Sequence, residues 1–96
     1  MTEQKQIDEY FFSLIISLSA AAMQQLGKIA NPVTNKIEKS VEQAKISIDM
    51  LIMLREKTKG NLSVEENKLL DSTISDLQLN YVDECEKHSP PASKIN

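Results

Sequence analysis

The sequence predicts an all-α protein with three helices, and three observations support this fold class. The 96 residues are drawn mainly from Ala, Leu, Ile, Met, Glu, Lys and Gln, with two glycines and three prolines, a composition that favours helices. Capping-box patterns mark two helix starts, at Ser40 and Ser63. Between the turn signals, apolar residues recur at helical spacing. A domain of this length buries only about 60–65% of its unfolded surface, so its stability is marginal without further contacts.

Helix one is predicted over residues 8–26. Asp8 can cap its first turn, and Gly27 follows as the kind of residue that ends a helix in a left-handed conformation. The connection after it carries the turn signals Asn31-Pro32 and Thr34-Asn35. A long irregular connection therefore separates helix one from helix two.

Helices two and three are predicted over residues 40–59 and 63–86. Their starts are the S-x-x-Q pattern from Ser40 and the S-x-x-E pattern from Ser63. The link between them, residues 60–62, is short enough to force an antiparallel hairpin. We expect helix one to pack across this hairpin and into an oligomer interface.

The helices form one predicted domain with loose ends. Residues 8–86 are expected to fold as a single helical domain, and residues 1–7 to form a flexible N-terminus. Residues 87–96 include a Ser-Pro-Pro run that cannot continue a helix. We expect this segment to be a disordered tail.

Residues 10–26 carry no charge, although 26% of the chain is charged. On a helical projection their apolar side chains fill an arc of about 200°, roughly twice the arc that a helix facing one core requires. The narrow remaining stripe is polar or small. Its members are Ser13, Ser17, Ala20 and Gln24. Helix one therefore requires burial on two sides.

A membrane span would explain the same arc, but its length and content argue against it. A helix over residues 10–26 rises about 25 Å, short of the roughly 30 Å hydrocarbon core. The stretch also contains three serines and the Gln24-Gln25 pair, whose amides find no partner in lipid. No membrane span is predicted, and a membrane-associated helix at residues 10–26 is kept as the second alternative.

Helix two also has two apolar faces. Its first face contains Val41, Ala44, Ile48, Leu51 and Ile52, and a charged strip separates this face from the second. Helix three has one narrow apolar stripe, formed by Leu70, Ile74, Leu77 and Tyr81, and its opposite side is acidic.

The excess apolar surface predicts a homo-oligomer, most simply a homodimer. The residues expected in its interface come from the wide arc of helix one and the second face of helix two. They are Phe11, Phe12, Ile15, Ile16, Met23, Ile46, Met50 and Met53. The alternative is that the long connection and Leu62 cover the second faces within one chain.

The residue types that carry chemistry are few. Cys85 is the one cysteine and His88 the one histidine, so together they supply two metal ligands without a second pair. No Gly-rich phosphate loop occurs. Asp49 falls in the charged strip of helix two with Lys45 and Glu56, where a solvated role is the simplest interpretation. We predict no catalytic residue, metal or cofactor.

The net charge and the cysteine content limit the partners and the location. A net charge of −3 gives no broad attraction for nucleic acid, so no nucleic-acid partner is expected. A single cysteine cannot form an internal disulfide, and nothing in the chain calls for an oxidising compartment. A cytoplasmic location is predicted.

The corner between helices two and three is the candidate ligand site. Cations end helix two, and free backbone N–H groups begin helix three, so together they could hold an anion. The candidate residues are Lys57, Lys59, Gly60, Asn61 and Ser63. Glu65 and Glu66 in the first turn of helix three would repel such a ligand. An anion- or phosphate-binding domain, with or without enzymatic activity, is the first alternative function.

The chain also resembles a known family. The resemblance is carried by the run Lys57-Thr58-Lys59-Gly60-Asn61-Leu62, followed by Glu65-Glu66, Leu77 and Tyr81-Val82. Shorter matches include Phe12, Ser17-Leu18, Leu26-Gly27, Pro32-Val33-Thr34, Ala44-Lys45 and Ile48-Asp49. The family is the one catalogued as a domain of unknown function, number eighteen forty-four, and the resemblance spans about residues 8–83.

The resemblance implies a bacterial cytoplasmic helical protein and implies no activity. Asn35 stands where the family pattern has glycine, but asparagine also tolerates a left-handed conformation, so the turn should be kept. The preferred prediction is a non-enzymatic assembly or adaptor protein, with a second protein as a further partner.

Overall fold

The structure is a computed structural model that describes residues 7–88, and this part of the chain contains three α-helices and no strand. They are α1 (Glu9–Gln25), α2 (Val41–Lys57) and α3 (Val64–His88). Each helix packs against both others, so the predicted all-α class is confirmed. The predicted helix boundaries agree to within two residues. Lys87 and His88 belong to α3 rather than to a tail. The predictions for residues 1–6 and 89–96 concern residues that the structure does not describe.

Local caps define both ends of α1. The Asp8 carboxylate accepts the backbone N–H groups of Tyr10 at 2.8 Å and Phe11 at 3.0 Å. At the other end, Gly27 has a φ of 80°. The N–H of Gly27 donates to the carbonyl of Gln24, and the N–H of Lys28 donates to the carbonyl of Met23, both at 2.9 Å. This pair of bonds satisfies the last carbonyls of the helix.

The connection from α1 to α2 contains an ordered turn. Asn31 Oδ1 accepts the N–H of Val33 at 2.8 Å, and the Asn31 carbonyl accepts the N–H of Asn35 at 2.7 Å. Asn35 has a φ of 62°, so the expected left-handed asparagine is confirmed.

Both predicted capping serines begin their helices. Ser40 Oγ accepts the N–H of Gln43 at 3.3 Å. At α3 the exchange is reciprocal: Ser63 Oγ accepts the N–H of Glu66 at 3.1 Å, and Glu66 Oε1 accepts the N–H of Ser63 at 2.9 Å. Two of the first backbone donors of α3 are thus satisfied within four residues.

One stripe from each helix forms the core. Its buried members are Ile15, Ala22, Ile48, Leu51, Leu70, Ile74 and Leu77. Phe11, Leu18, Met23 and Tyr81 pack against this cluster while keeping some exposure. Ile15 is 0% exposed within the single chain. It is therefore a core residue of the monomer, although the sequence placed it among interface residues.

Two polar contacts hold α1 alongside α3. At one end the backbone N–H of Asp8 donates to Glu66 Oε2 at 2.7 Å. At the other end Lys28 Nζ lies 2.7 Å from Glu84 Oε2. The start of α1 therefore lies beside the start of α3, and the residues just after α1 lie beside the end of α3.

Candidate functional surfaces

The corner between α2 and α3 is occupied by the protein's own carboxylate. Lys57, Lys59 and Asn61 are exposed, and Gly60 has a φ of 87°. The Ser63 N–H, which an anion would require, donates instead to Glu66.

The electrostatics of Glu66 follow from these contacts. The N–H groups of Asp8 and then Ser63 lower the pKa of the Glu66 carboxyl below its usual value, so it stays ionised. An incoming anion would meet this charge. Anion binding by the five corner residues stays a prediction that the geometry does not favour.

Asp49 lies in the solvated strip that its helical angle indicated. Its carboxylate is 2.9 Å from Lys45 Nζ one turn earlier, and both side chains are exposed. This contact raises the pKa of the Lys45 ammonium. The pair is an ordinary surface contact between residues four apart on a helix.

A charged cluster that the sequence reasoning missed lies at the end of α3. Glu84 is buried, with 4% of the residue exposed, and its carboxylate contacts the ammonium groups of Lys28, Lys39 and Lys87. Hydrogen bonds from Lys28 and then Lys39 lower the pKa of Glu84 to about 2, although burial opposes the shift. The cluster fastens the α1–α2 connection to α3, since Lys28 and Lys39 lie at its two ends.

One signal in the sequence could have revealed this cluster. Glu84 follows Leu77 by seven positions and Tyr81 by three, so it continues the buried stripe of α3. An acid in register with a core stripe needs a cationic partner. The two lysines of the connection were the available candidates.

Cys85 lies in an open depression beside this cluster. The depression has a volume of about 520 Å³ and is lined by Lys39, Ser40, Val41, Glu42 and Cys85. The Tyr81 hydroxyl forms a hydrogen bond with Cys85. This bond, and then burial, raise the pKa of the hydroxyl above its usual value. No group of three or more His, Cys, Asp or Glu side chains within residues 7–88 is placed to hold a metal ion.

The exposed apolar residues of α1 and α2 form two separate surfaces. Gln25 and Ser47 identify the side of α1 that faces α2, because the Gln25 side-chain amide and Ser47 Oγ are 2.7 Å apart. Leu14 lies on this same side, eleven residues before Gln25. On α2, Met50 follows Ser47 by about one turn. Ile46 and Met53 lie next to Met50, on the side that points away from the core.

We call this surface the α1–α2 face. Its members are Leu14, Ile46, Met50 and Met53, each between 42% and 46% exposed.

The second surface lies between α1 and α3. Ser19 and Met23 line a depression together with Thr73, Asp76 and Asn80 of α3. Phe12 and Ile16 precede Ser19 and Met23 by seven residues each, so they lie on the same side of α1. They are 44% and 45% exposed. We call this surface the α1–α3 groove.

The predicted interface residues therefore divide into three groups. Ile15 is in the core, and Phe11 packs against it. Phe12, Ile16 and Met23 line the α1–α3 groove, whereas Ile46, Met50 and Met53 belong to the α1–α2 face. Leu14, at the other edge of the apolar arc, is a surface residue that the prediction omitted.

A family comparison now identifies the chain. The model of the family described as "Domain of unknown function (DUF1844)" matches residues 9–83. The chain belongs to this family. The resemblance noted in the sequence is thus confirmed. No match to the chain was found among curated proteins or among solved structures.

The match to the DUF1844 family covers both apolar surfaces and the α2–α3 corner. It ends one residue before Glu84, so most of the charged cluster's contacts involve an acid outside the matched range. Within residues 7–88, the structure has no helix with the length and apolar content to cross a membrane.

Proposed function

We propose that the protein is a non-enzymatic assembly protein that forms a homodimer through the α1–α2 face. The observation that carries this proposal is the cluster of half-exposed large apolar side chains on that face. Contiguous exposed apolar surface of this kind is typical of protein interaction sites. A second copy is the occupant because α1 brings no charge to the face and the α2 border carries both signs, Glu42 and Lys57, so the patch does not repel its own image.

The charge distribution supports a symmetric contact. Residues 10–26 bring no charge to the face, and on α2 its outer edge is bordered by Glu42, which lies eleven residues before Met53, and by Asp49. Lys57 follows Met53 by four residues and Met50 by seven, so it lies at one end of the same side of α2. In a two-fold dimer the same patch meets itself, so an apolar patch with an acid and a base at its border can be self-complementary.

The expected dimer is weak. Full burial of a large apolar side chain contributes about 1.5–3 kcal/mol, so the exposed half of each residue contributes about 1 kcal/mol. Four such residues on each protomer give about 8 kcal/mol in the dimer. This gain exceeds the lower end of the cost of association, which is about 4–15 kcal/mol, by about 4 kcal/mol, and that surplus corresponds to a dissociation constant of about 1 mM. We therefore expect assembly that depends on protein concentration.

The proposal includes the antiparallel α2–α3 hairpin. Arg55 near the end of α2 donates to Asp71 near the start of α3 at 3.2 Å, which supports this arrangement. At the opposite ends, Val41 and Cys85 line the same depression. The hairpin presents α2 with its outer side free for a second copy. A bacterial, cytoplasmic setting stays a prediction.

Light scattering on the purified protein tests the dimer. Between about 5 and 500 μM, the mass of the unmodified chain should rise from that of a monomer toward that of a dimer. Met50→Glu should keep the chain monomeric over the same range. Val82→Glu is the matched control, because Val82 is a half-exposed apolar residue on α3 outside the face. It should leave assembly unchanged.

Two results would overturn this proposal. One is a folded monomer of 10.8 kDa at every concentration. The other is an unchanged dimer in Met50→Glu together with a monomer in Ile16→Glu, which would move the contact to the α1–α3 groove. Circular dichroism on each variant separates loss of assembly from loss of folding.

A further inference from the structure

We propose that the α1–α3 groove binds a basic amphipathic helix of a partner protein. This inference concerns a second surface and does not depend on the dimer. Three features carry it: the shape of the groove, its apolar floor and the charge of its walls.

The groove has the length and the spacing of side chains to accommodate one helix. On α1 the wall is formed at intervals of four and three residues, by Phe12, Ile16, Ser19 and Met23. On α3 the same spacing selects Leu69, Thr73, Asp76 and Asn80. The two stripes lie side by side, since Ser19 and Met23 share a depression with Thr73, Asp76 and Asn80. From Phe12 to Met23 a helix rises about 16 Å, which matches three turns of a bound helix.

The floor of the groove is apolar and open. Phe12 and Ile16 are half-exposed, while Met23 and Leu69 are partly buried against the core. Leu79, at the outer edge of the α3 wall, is also exposed. A bound helix would cover these side chains with apolar residues at i, i+3, i+4 and i+7, the pattern by which helices dock into grooves.

The walls of the groove carry more acids than bases. Residues 10–26 carry no charge, and residues 69–86 contain five acids with no lysine or arginine, although Asp71 contacts Arg55 of α2 and Lys68 shares a depression with Asp76. Asp76 lies on the groove side of α3, and Glu65 lies on the same side, eleven residues earlier. At the far end, Lys28 and Lys87 contact Asp83 and Glu84. The acidic side chains along the groove walls, which we call the rim, therefore favour a partner helix with lysine or arginine beside its apolar stripe.

The same charges argue against a second copy in the groove. In an antiparallel two-fold contact Asp76, near the middle of the groove, would face the same carboxylate of the second copy, and like charges across an interface disfavour association. The border of the α1–α2 face carries both signs, Glu42 and Lys57, at opposite ends of α2. The charges thus assign the α1–α2 face to self-association and the acidic groove to a basic helix.

A designed peptide tests the assignment. The probe is a helical peptide of about fifteen residues with leucine on one face and lysine elsewhere. The peptide is titrated into the full chain with isotope-labelled methyl groups, and the NMR chemical shifts of the methyl groups are recorded. We expect chemical-shift changes at Ile16, Met23 and Leu69, and unchanged chemical shifts at Ile46 and Met53. A peptide with glutamate in place of lysine, and a scrambled lysine peptide, should both bind more weakly.

Charge reversal separates specific docking from general attraction. Glu65→Lys with Asp76→Lys should weaken peptide binding about tenfold or more. Glu42→Lys with Glu56→Lys makes the same change in net charge on the exposed strip of α2 and should weaken it by less than about threefold. Ile16→Lys, which removes an apolar contact without touching the rim, should also abolish binding. Met50→Glu should leave it unchanged.

Three outcomes would overturn the inference. Equal weakening by both double variants would mean general charge attraction. Shift changes centred on Ile46 and Met53 would place the peptide on the α1–α2 face. Changes at Ile16 and Met23 with protein concentration alone would show that a second copy occupies the groove.

Discussion

The Glu66 carboxylate accepts the backbone N–H of Asp8 at 2.7 Å, although the two residues are 58 positions apart. Glu66 Oε1 also completes the capping box of α3 by accepting the N–H of Ser63. Asp8 in turn caps α1. One side chain thus joins the starting points of two helices.

Removal of this carboxylate should destabilise the protein more than removal of an ordinary cap. Ser63→Ala removes one side-chain acceptor and should lower the free energy of unfolding by about 1 kcal/mol. Glu66→Ala should lower it further, because it leaves two backbone N–H groups without their acceptor. Urea unfolding measures both. Glu65→Ala, one residue away and exposed, is the control, and an equal loss in Glu65→Ala and Glu66→Ala would contradict the role assigned to Glu66.

The Glu84 cluster should determine how stability depends on pH. The pKa of Glu84 is lowered from 4.5 to about 2 in the folded protein, so its contribution is complete above about pH 4.5 and is lost as the pH falls toward 2. The pKa of Lys28 is raised from 10.5 to about 12, chiefly by Glu84 and then Asp83. Its contribution is complete below about pH 10.5 and is lost as the pH rises through 12.

Denaturation midpoints measured from pH 2 to 8 test the acid limb of this dependence. The denaturation midpoint of the unmodified protein should decrease below about pH 4.5. Glu84→Gln should have a lower midpoint at neutral pH, and that midpoint should fall less between pH 4.5 and 2. Asp49→Asn, which removes the exposed partner of Lys45, should follow the unmodified protein. Parallel acid limbs in the unmodified protein and Glu84→Gln would exclude Glu84 as the source.

The two glycines should differ in their sensitivity to alanine. Both have positive φ, 80° at Gly27 and 87° at Gly60, so alanine costs about 1 kcal/mol of backbone strain at either position. At Gly27 an added Cβ would also lie 3.3 Å from the Lys39 side chain, whereas at Gly60 no atom lies within 4 Å. Lys39 is held at its ammonium group by Glu84, so its side chain has less freedom to move aside than an unpaired lysine.

Gly27→Ala should therefore be the more destabilising of the two substitutions, and thermal unfolding of both variants measures the difference. Gly27→Ala in the Glu84→Gln background provides the control, because a released Lys39 can move aside. If Gly60→Ala were equally damaging, the Lys39 contact would have no energetic weight.

Two adjacent isoleucines should behave in opposite ways. Ile15→Ala should destabilise the monomer by about 2–5 kcal/mol, because it opens a cavity in the core. Ile16→Ala should cost less than about 1 kcal/mol, since nearly half of the Ile16 side chain is already in water. Urea unfolding at low protein concentration compares the two variants as monomers. Similar losses would mean that Ile15 is not the core residue its burial indicates.

The sequence by itself determined the helices and the turns between them. Gly27, Asn35 and the Ser63–Glu66 box act through backbone groups within a few positions, so their conformations follow from local chemistry. For the same reason the predicted helix boundaries lie within two residues of those observed. The charge-free arc of α1 and the double apolar face of α2 could also be read directly, because helical periodicity reports the angle of each residue.

Only the tertiary structure decided which neighbouring helix each side of a helix contacts. Periodicity places Ile15 and Ile16 in one wide apolar arc of α1. It does not say which part of that arc faces α2, which part faces α3 and which part stays exposed. The division into core, α1–α2 face and α1–α3 groove follows from the positions of the two neighbouring helices. The Asp8–Glu66 and Lys28–Glu84 contacts join residues that are far apart in the chain. Such pairs form because packing brings helix ends together, and no local pattern encodes that approach.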